Sequence, residues 1–386
     1  MPTTLPKTPH VYGAEPPTFP IVMGIRCGIV GLPNVGKSTL FNALTRASAV
    51  AENYPFATIE PNVGIAKVPD ERLEHLAEIV QPEEIVPTAI EFVDIAGLVA
   101  GASEGEGLGN QFLHHIRETD AVAHVVRCFE ADDVVHVAGG IDPVADIDVI
   151  ATELALADLD TVSRAAEKRE RRAKAGEKEA AAAVATIGRI RDHLDSGRPA
   201  RTLDLTIEEQ TVADELFLLT AKPTLYIANV GEEDGPANES LVEMVRARAA
   251  GEGASVVVVS GALEAELAVL DAGDQAELIA EYGLKEPGLD RVVHAAYDLL
   301  GLLTFFTVGP KQVRAWTVHR GARAPEAARE IHTDFERGFI RAEVTSYPEF
   351  VAHGGEQGTK DAGKWRLEGK DYVVREGDLI YFRFNV

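Results

Sequence analysis

One stretch near the start of the chain carries residue types and spacing suited to binding a phosphate group. It reads Gly31-Leu32-Pro33-Asn34-Val35-Gly36-Lys37-Ser38-Thr39 and fits the pattern G-x-x-x-x-G-K-[S/T]. The lysine of such a loop can reach the β- and γ-phosphates of a nucleotide, and the hydroxyl of Ser38 can ligate Mg²⁺. We expect the backbone N–H groups of residues 34–39 to surround the same anion, because a helix begins there and its N-terminus carries partial positive charge.

The residues on both sides of this loop provide the context that the pattern requires. Residues 26–30 are short and apolar enough for a buried parallel strand, and residues 40–45 are typical of an amphipathic helix. A strand, a glycine-containing loop and a helix in this order form the phosphate-binding unit of nucleotide-binding domains. The sequence therefore predicts a nucleotide-binding domain with Mg²⁺ as its cofactor.

Three positions downstream are spaced to sense the γ-phosphate and the metal ion. Thr58 lies in a proline-rich loop, where its hydroxyl is placed to ligate Mg²⁺; an ordinary surface loop is the alternative. Asp94 ends an apolar strand and suits a contact to Mg²⁺ through water. Gly97 follows three residues later, so its N–H suits a γ-phosphate sensor.

The residue that positions the attacking water is not the glutamine of Ras-like enzymes, because Leu98 stands at that place. His136, just beyond the next strand, is our leading candidate, and His114 and His115 are the next two. A histidine can act as a general base near neutral pH, although a structural role is the alternative for each of them. Asn34 is expected either to ligate K⁺ beside the phosphates or simply to cap the loop.

The place where a guanine-binding domain reads its base carries a different sequence here. It reads Asn229-Val230-Gly231-Glu232, whereas guanine readers use N-K-x-D. Val230 replaces the lysine, and the carboxylate of Glu232 is one methylene further from the backbone. Adenine lacks the two donors that such an aspartate accepts, so losing this geometry forfeits the preference for guanine. The sequence predicts that ATP binds at least as tightly as GTP.

Composition limits the class of protein. A chain of 386 residues predicts two or three domains, and its net charge of −25 argues against broad, nonspecific binding of nucleic acid. Cys27 and Cys128 both lie in apolar runs, which favours buried thiols in a reducing cytoplasm. No apolar run reaches the roughly 18 residues of a membrane span, so no membrane partner is expected.

The chain is predicted to be α/β, with an interrupted nucleotide-binding domain. Residues 1–22 are expected to be a disordered tail, unless Met23 is the true start. Residues 23–145 and 206–300 form the nucleotide-binding domain on a parallel-rich sheet. Residues 146–205 have helical spacing and a turn at 173–177, which predicts an antiparallel coiled-coil hairpin or a plain helical bundle. Residues 301–386 read as a small α+β domain with one helix, over residues 324–335, on a mixed sheet. Its predicted strands are a hairpin of residues 303–308 and 313–318, and a final pair, 371–374 and 379–384.

The predicted helical arm carries a basic segment. Residues 164–178 contain seven Lys or Arg against three Glu, a local charge of +4 within a chain of −25. Such a run is either a solvated helix face or a contact for RNA phosphates.

These features together resemble the YchF, or Obg-like ATPase, family of translation-factor-related proteins. The matching text lies in residues 28–39, 55–62, 92–101, 105–110 and 332–342, and the resemblance covers residues 23–386. It implies a G-domain, an inserted coiled-coil arm and a C-terminal TGS domain of β-grasp type. It also implies ATP hydrolysis and binding to the ribosome or its large subunit. Ala57 stands where bacterial relatives often carry a cysteine, so redox control at that position is not expected here.

The function expected from the sequence is a cytoplasmic, monomeric ATPase that binds ribosomes and regulates translation or a stress response. An adaptor that ATP stabilises without needing hydrolysis, or a GTPase of the same fold, is the alternative.

Overall fold

Two β-sheets organise the chain in a computed structural model that describes residues 10–11, 25–47, 62–95, 108–130, 141–232 and 236–385. The strands in these ranges are β1 (His10–Val11), β2 (Arg26–Val30), β3 (Val63–Lys67), β4 (Glu84–Val86), β5 (Ala89–Asp94), β6 (Ala121–Cys128), β7 (Thr224–Val230), β8 (Ser255–Val259), β9 (Leu302–Val308), β10 (Gln312–His319), β11 (Phe339–Ser346), β12 (Arg366–Glu368) and β13 (Asp378–Phe384).

Helices cover both sheets and form a long projection. They are α1 (Lys37–Ala47), α2 (Glu71–Val80), α3 (Leu108–Arg117), α4 (Pro143–Lys174), α5 (Lys178–Asp195), α6 (Ile207–Asp214), α7 (Pro236–Ala250), α8 (Gly261–Leu267), α9 (Ala272–Glu281), α10 (Gly288–Leu299), α11 (Ala324–Ile331), α12 (Thr333–Arg337), α13 (Tyr347–Ala352) and α14 (Glu356–Asp361). Among the described residues, none of these helices combines the length and the apolar character needed to cross a membrane.

The first sheet has the strand order β3-β5-β2-β6-β7-β8. All neighbouring pairs are parallel except β3 with β5, which confirms the predicted parallel-rich sheet. Every residue of β6 is buried, and β2 and β7 are nearly so, because helices cover both faces of the sheet. The carboxyl ends of β2, β6, β7 and β8 therefore lie at one edge, where the phosphate loop emerges.

The predicted helical arm is a hairpin of α4 and α5. Their turn spans residues 175–177, as expected, and apolar side chains from both helices form one cluster that includes Val162, Ile187 and Ile190. Helix α6 joins this cluster through Ala213, with Leu216 and Leu218 following it. The domain limits stay predictions, but this packing favours a return to the nucleotide-binding domain near residue 219, later than the expected residue 206.

The second sheet has the order β12-β11-β13-β9-β10-β4, with β1 pairing to β13. The expected hairpin of β9 and β10 is present. The single helix expected over residues 324–335 is two helices, because the chain is extended at His332 (φ −166°), whose ring accepts a hydrogen bond from the Asp334 N–H. Residues 371–374, expected as a strand, contribute only an isolated bridge at Val373, and β12 was not expected.

One segment of the N-terminal half is built into the second sheet. After β3, helix α2 packs Leu73 and Leu76 against Phe306, Phe350 and their neighbours, and strand β4 then pairs in parallel with β10. Arg72 also contacts Glu376 across this junction, at 2.6 Å. The chain returns to the first sheet in β5. This excursion was not predicted, because α2 alone reads as an ordinary amphipathic helix.

Candidate nucleotide site

The phosphate loop connects β2 to α1 and is held from both sides by apolar packing. The end of β2 is fully buried, and Val35, Leu40 and Leu44 anchor the loop and helix in the core of the first sheet. The N–H of Leu40 donates to the carbonyl of Gly36 at 3.0 Å. The N–H groups at the first residues of α1 have no partner within the helix, so they are placed to bind an anion.

Glycine at position 36 is required by conformation and by space. Its φ of +91° lies in the left-handed region. A Cβ there would lie 2.1 Å from Nδ2 of Asn229. Gly31 is similarly confined, since a Cβ there would lie 2.8 Å from the carbonyl oxygen of Val125 on the neighbouring strand. The two glycines of the sequence pattern therefore allow the loop to approach β6 and β7 closely.

Lys37 and Asp94 contact each other. The Nζ of Lys37 forms an ion pair with the Asp94 carboxylate, and both side chains are largely buried. The sequence placed Lys37 on the phosphates and Asp94 near the metal ion, and the structure brings these two groups to one point at the carboxyl edge. The ammonium group and the carboxylate therefore neutralise each other at the place where the sequence predicts phosphates and Mg²⁺.

Asn229 links three parts of the site. Its Nδ2 donates to the carbonyl of Val35 at 2.9 Å, and its Oδ1 accepts from the N–H of Gly261 at 2.8 Å. The side chain is 4% exposed, so it acts by joining the phosphate loop to the start of α8. The sequence did not predict this bridge, although it placed residues 229–232 near the base. Val230 is half-buried and Glu232 is exposed at the end of β7.

Three polar residues of the loop present their side chains outward. Asn34, Ser38 and Thr39 are exposed, and Asn34 has a φ of +64°. Asparagine is one of the residues that tolerates this left-handed conformation. Its side chain is therefore accessible to a cation or a phosphate, and the structure is compatible with either expected role of Asn34.

The donor set suits Mg²⁺ better than a protein-enclosed metal. Within the described ranges, no group of three or more His, Cys, Asp or Glu side chains could hold a metal ion. Mg²⁺ is usually held by one or two protein ligands together with phosphates and water. Ser38 and Asp94 fit that chemistry, because one is an exposed hydroxyl beside the phosphate loop and the other is a carboxylate at its edge.

The candidates for the catalytic water fall into two groups. His136 lies outside the described residues, as do the sensors Thr58 and Gly97. His114 and His115 are both exposed near the C-terminal end of α3, beside Glu118. Two residues beyond Glu118, the N–H of Asp120 donates to the carbonyl of Arg26, where β2 begins. This is the edge opposite the phosphate loop, so the C-terminal end of α3 points away from that loop, and a role of His114 or His115 in positioning water stays a prediction.

The two cysteines are buried and free, as expected. Burial raises the pKa of both thiols to about 12. They are therefore uncharged at neutral pH and pack as small apolar side chains.

A separate cleft of about 540 Å³ lies between the two sheets. It is lined by residues 87–91 at the amino ends of the first sheet and by residues 314–322 of the second. This cleft is remote from the phosphate loop, because the two lie at opposite edges of the first sheet.

Fold and site together define a P-loop nucleotide-binding domain of the G-protein type, joined to a C-terminal α+β domain. A family model described as 50S ribosome-binding GTPase matches residues 26–187, and the YchF-GTPase_C model matches residues 302–385.

Similar proteins cover almost the whole chain. The protein named Ribosome-binding ATPase YchF of Haemophilus influenzae is 60% identical over 364 residues, which are 94% of this chain and 100% of that protein. The Bacillus subtilis protein of the same name is 52% identical over 366 residues, with the same coverage. The solved structure of the Schizosaccharomyces pombe YchF GTPase superposes with a TM-score of 0.83 at 33% identity and covers 97% of this chain and 100% of that one. The chain belongs to the YchF family, which confirms the resemblance found in the sequence.

Proposed function

We propose that this chain is a nucleoside triphosphatase that prefers ATP to GTP and associates with ribosomes. Relatives that match 94% of the chain carry the name Ribosome-binding ATPase YchF, which supports both activities. The proposal includes a cytoplasmic, monomeric protein that regulates translation or a stress response.

The observation that carries the proposal is the composition of the base site around Asn229. This side chain uses one amide hydrogen on Val35 and one oxygen lone pair on Gly261, so it holds the loops around the base site in place. In the described part of the base loop, the carboxylate that could accept from guanine is that of Glu232, which is exposed at the end of β7. A site without a fixed acceptor gives guanine no advantage, and backbone groups near Val230 can pair with the adenine edge.

The residues of the phosphate loop would bind and orient the triphosphate. The N–H groups of residues 34–39 surround the phosphates, and Lys37 moves from Asp94 to them. Ser38 and Asp94, with Thr58 as a further candidate, would hold Mg²⁺, which neutralises developing negative charge when bound. Gly97 is proposed to sense the γ-phosphate and His136 to orient water. Asn34 is proposed to ligate K⁺ beside the phosphates.

The ribosome contacts are assigned to the helical arm and to the C-terminal domain, which we propose is a TGS domain. The basic segment of α4 contrasts with the net charge of −25 of the chain. Counterion release from RNA would make this association salt-dependent.

Turnover of the purified protein tests the enzyme against the adaptor alternative. We expect slow ATP hydrolysis that rises when ribosomes are added and that is faster in K⁺ than in Na⁺. ATP binding with no turnover under any of these conditions would favour the adaptor. Equal rates in K⁺ and Na⁺ would remove Asn34 from the mechanism while leaving the ATPase intact.

A further inference from the structure

A buried carboxylate on α8 is bonded to the start of α10. Glu264 is 2% exposed, although a glutamate is almost never fully buried without a partner. Its Oε1 accepts a hydrogen bond from the N–H of Gly288 at 2.7 Å, and its Oε2 accepts one from the N–H of Leu289 at 3.2 Å. Both N–H groups lie in the first turn of α10, where no carbonyl of the helix can pair with them. The carboxylate therefore ties α8 to the first turn of α10.

Glycine at position 288 allows the two helices to approach this closely. A Cβ there would lie 2.7 Å from Oε1 of Glu264 and 3.0 Å from Cγ1 of Val259, the last residue of β8. The contact thus needs a carboxylate on α8 and a position on α10 that has no side chain. A larger residue at position 288 would displace the carboxylate.

The same helix carries one end of the Asn229 bridge at its first residue. Gly261 begins α8 and donates its N–H to Oδ1 of Asn229, whose Nδ2 donates in turn to the carbonyl of Val35. A Cβ on Gly261 would lie 3.2 Å from that Oδ1. Gly261 and Glu264 are three residues apart, so they lie on the same face of the helix. One face of α8 therefore bonds to Asn229 and to α10.

Apolar packing alone does not fix how α8 is rotated. Leu263 and Leu267 are buried, but burial of apolar area has no preferred direction. Hydrogen bonds do have preferred angles, so the two bonds of Glu264 fix the rotation of the helix. Helix α8 follows β8, which pairs with β7, and the end of β7 carries the base-reading residues 229–232. The orientation of α8 therefore bears on the shape of the base site.

We propose that Glu264 is a positioning residue for the base of the bound nucleotide. It holds the start of α8, and with it the side chain of Asn229, in the arrangement that receives the base. Glu264 acts from behind the site and does not itself contact the nucleotide. This inference rests on the proposed nucleotide binding and names a residue that sets the affinity of the site for its base.

The phosphate loop has its own anchors. Val35, Leu40 and Leu44 hold it in the apolar core of the first sheet. Loss of the Glu264 bonds should therefore weaken recognition of the base and leave binding of the phosphates unchanged. A carboxylate that only supports the fold would instead weaken both through the fraction of folded protein.

The test compares a whole nucleotide with phosphates alone. Calorimetric titration of the full-length protein in Mg²⁺ measures binding of the non-hydrolysable analogue AMPPNP and of inorganic triphosphate. We expect Glu264→Gln to weaken AMPPNP binding about tenfold, because its amide group leaves one N–H of α10 facing another donor. Its affinity for triphosphate should stay within about twofold of the parent. The KM for ATP should rise while kcat stays close to the parent value, since the base is bound equally in the ground and transition states.

Two further variants separate this role from folding. Glu266→Gln makes the same change at an exposed position of α8 and should bind both ligands as the parent does. Gly288→Ala keeps the charge of Glu264 but displaces its carboxylate, so it should also weaken AMPPNP binding and spare triphosphate. Gly288→Ala decides the question if Glu264→Gln does not fold.

The outcomes distinguish failure of this inference from failure of the proposed function. AMPPNP affinities of Glu264→Gln and Gly288→Ala equal to that of the parent would overturn the inference. So would an equal loss of affinity for AMPPNP and triphosphate, which would show a general effect on the fold. If the parent binds AMPPNP but does not hydrolyse ATP, the proposed ATPase fails, while the binding comparison still decides the role of Glu264.

Discussion

The carboxyl edge of the first sheet and the excursion through α2 and β4 join distant parts of the chain in opposite ways. At the carboxyl edge the contacts are polar and few: the ion pair of Lys37 with Asp94 and the two hydrogen bonds of Asn229. In the excursion they are apolar and extensive, with Leu73 and Leu76 buried among aromatic residues of the second sheet. Polar contacts can be exchanged for a ligand, whereas apolar packing resists rearrangement.

The difference suggests how the two regions divide the work of the protein. Asp94 ends β5, and the excursion lies between β3 and β5 in the chain. A ligand that separates Lys37 from Asp94 therefore acts on a strand that is continuous with a segment packed into the C-terminal domain. The polar contact at the nucleotide site and the apolar packing of α2 are therefore connected through β5.

The largest expected effect tests the apolar packing of α2 against the second sheet. Leu76 is fully buried between α2 and the second sheet. We expect Leu76→Ala to lower the free energy of unfolding by about 3 kcal/mol, because it leaves a cavity in a packed cluster. Denaturant unfolding measures the loss, and hydrogen exchange should show it in β9 and β13 although the substitution lies in the N-terminal half.

Leu156→Ala is the matched control, since Leu156 on α4 is 44% exposed. It should change stability by less than about 0.5 kcal/mol. If the two variants unfold alike, or if β9 and β13 keep their protection in Leu76→Ala, α2 is not part of the C-terminal core.

The second largest expected effect tests Lys37 at the nucleotide site. Lys37→Met should reduce ATP turnover by about 100-fold or more, because one charged donor to the transition state is lost. Because Lys37→Met also leaves the largely buried Asp94 carboxylate without its partner, the unfolding midpoint is measured beside turnover to separate the loss of catalysis from a loss of folding. Lys311→Met, on an exposed turn of the second sheet, is the control and should keep full turnover. Parent-level hydrolysis by Lys37→Met would contradict the assignment.

A smaller expected effect concerns the buried residues around His124, where the base of the arm meets the first sheet. His124 is buried against Tyr226, close to the ion pairs that Glu252 makes with Arg201 and Arg248. Burial, with the positive charge of both arginines, lowers the pKa of His124 from 6.5 to about 3. The folded pKa lies below the unfolded one, so protons bind preferentially to the unfolded chain and stability falls as the pH drops from 6.5 towards 3.

Proton linkage at His124 should lower the free energy of unfolding by about 1.4 kcal/mol as the pH falls from about 8 to about 5.5. His124→Gln removes the titrating group, so its stability should depend less steeply on pH over that range. Urea unfolding of both proteins at several pH values measures the difference. Parallel curves for the two proteins would show that the His124 proton is not excluded from the folded state.

The sequence predicted what depends on local patterns. The phosphate loop, the arm hairpin with its turn at 175–177 and the β9–β10 hairpin all follow from motifs or periodicity within a short window. It did not predict the α2 excursion or the Asn229 bridge to Gly261, because both depend on contacts between residues far apart in the chain. The direction of α3, whose C-terminal end with His114 and His115 lies towards the edge opposite the phosphate loop, depends on such contacts as well.

The most direct test of the proposed function is a competition between ATP and GTP for the site. Both nucleotides would displace a fluorescent analogue from the Mg²⁺-loaded protein at equilibrium. We expect ATP to compete at least as well as GTP, and the double substitution Val230→Lys, Glu232→Asp to increase the affinity for GTP. A clear preference of the unmodified protein for GTP would contradict the account and return the chain to the guanine-specific members of its fold.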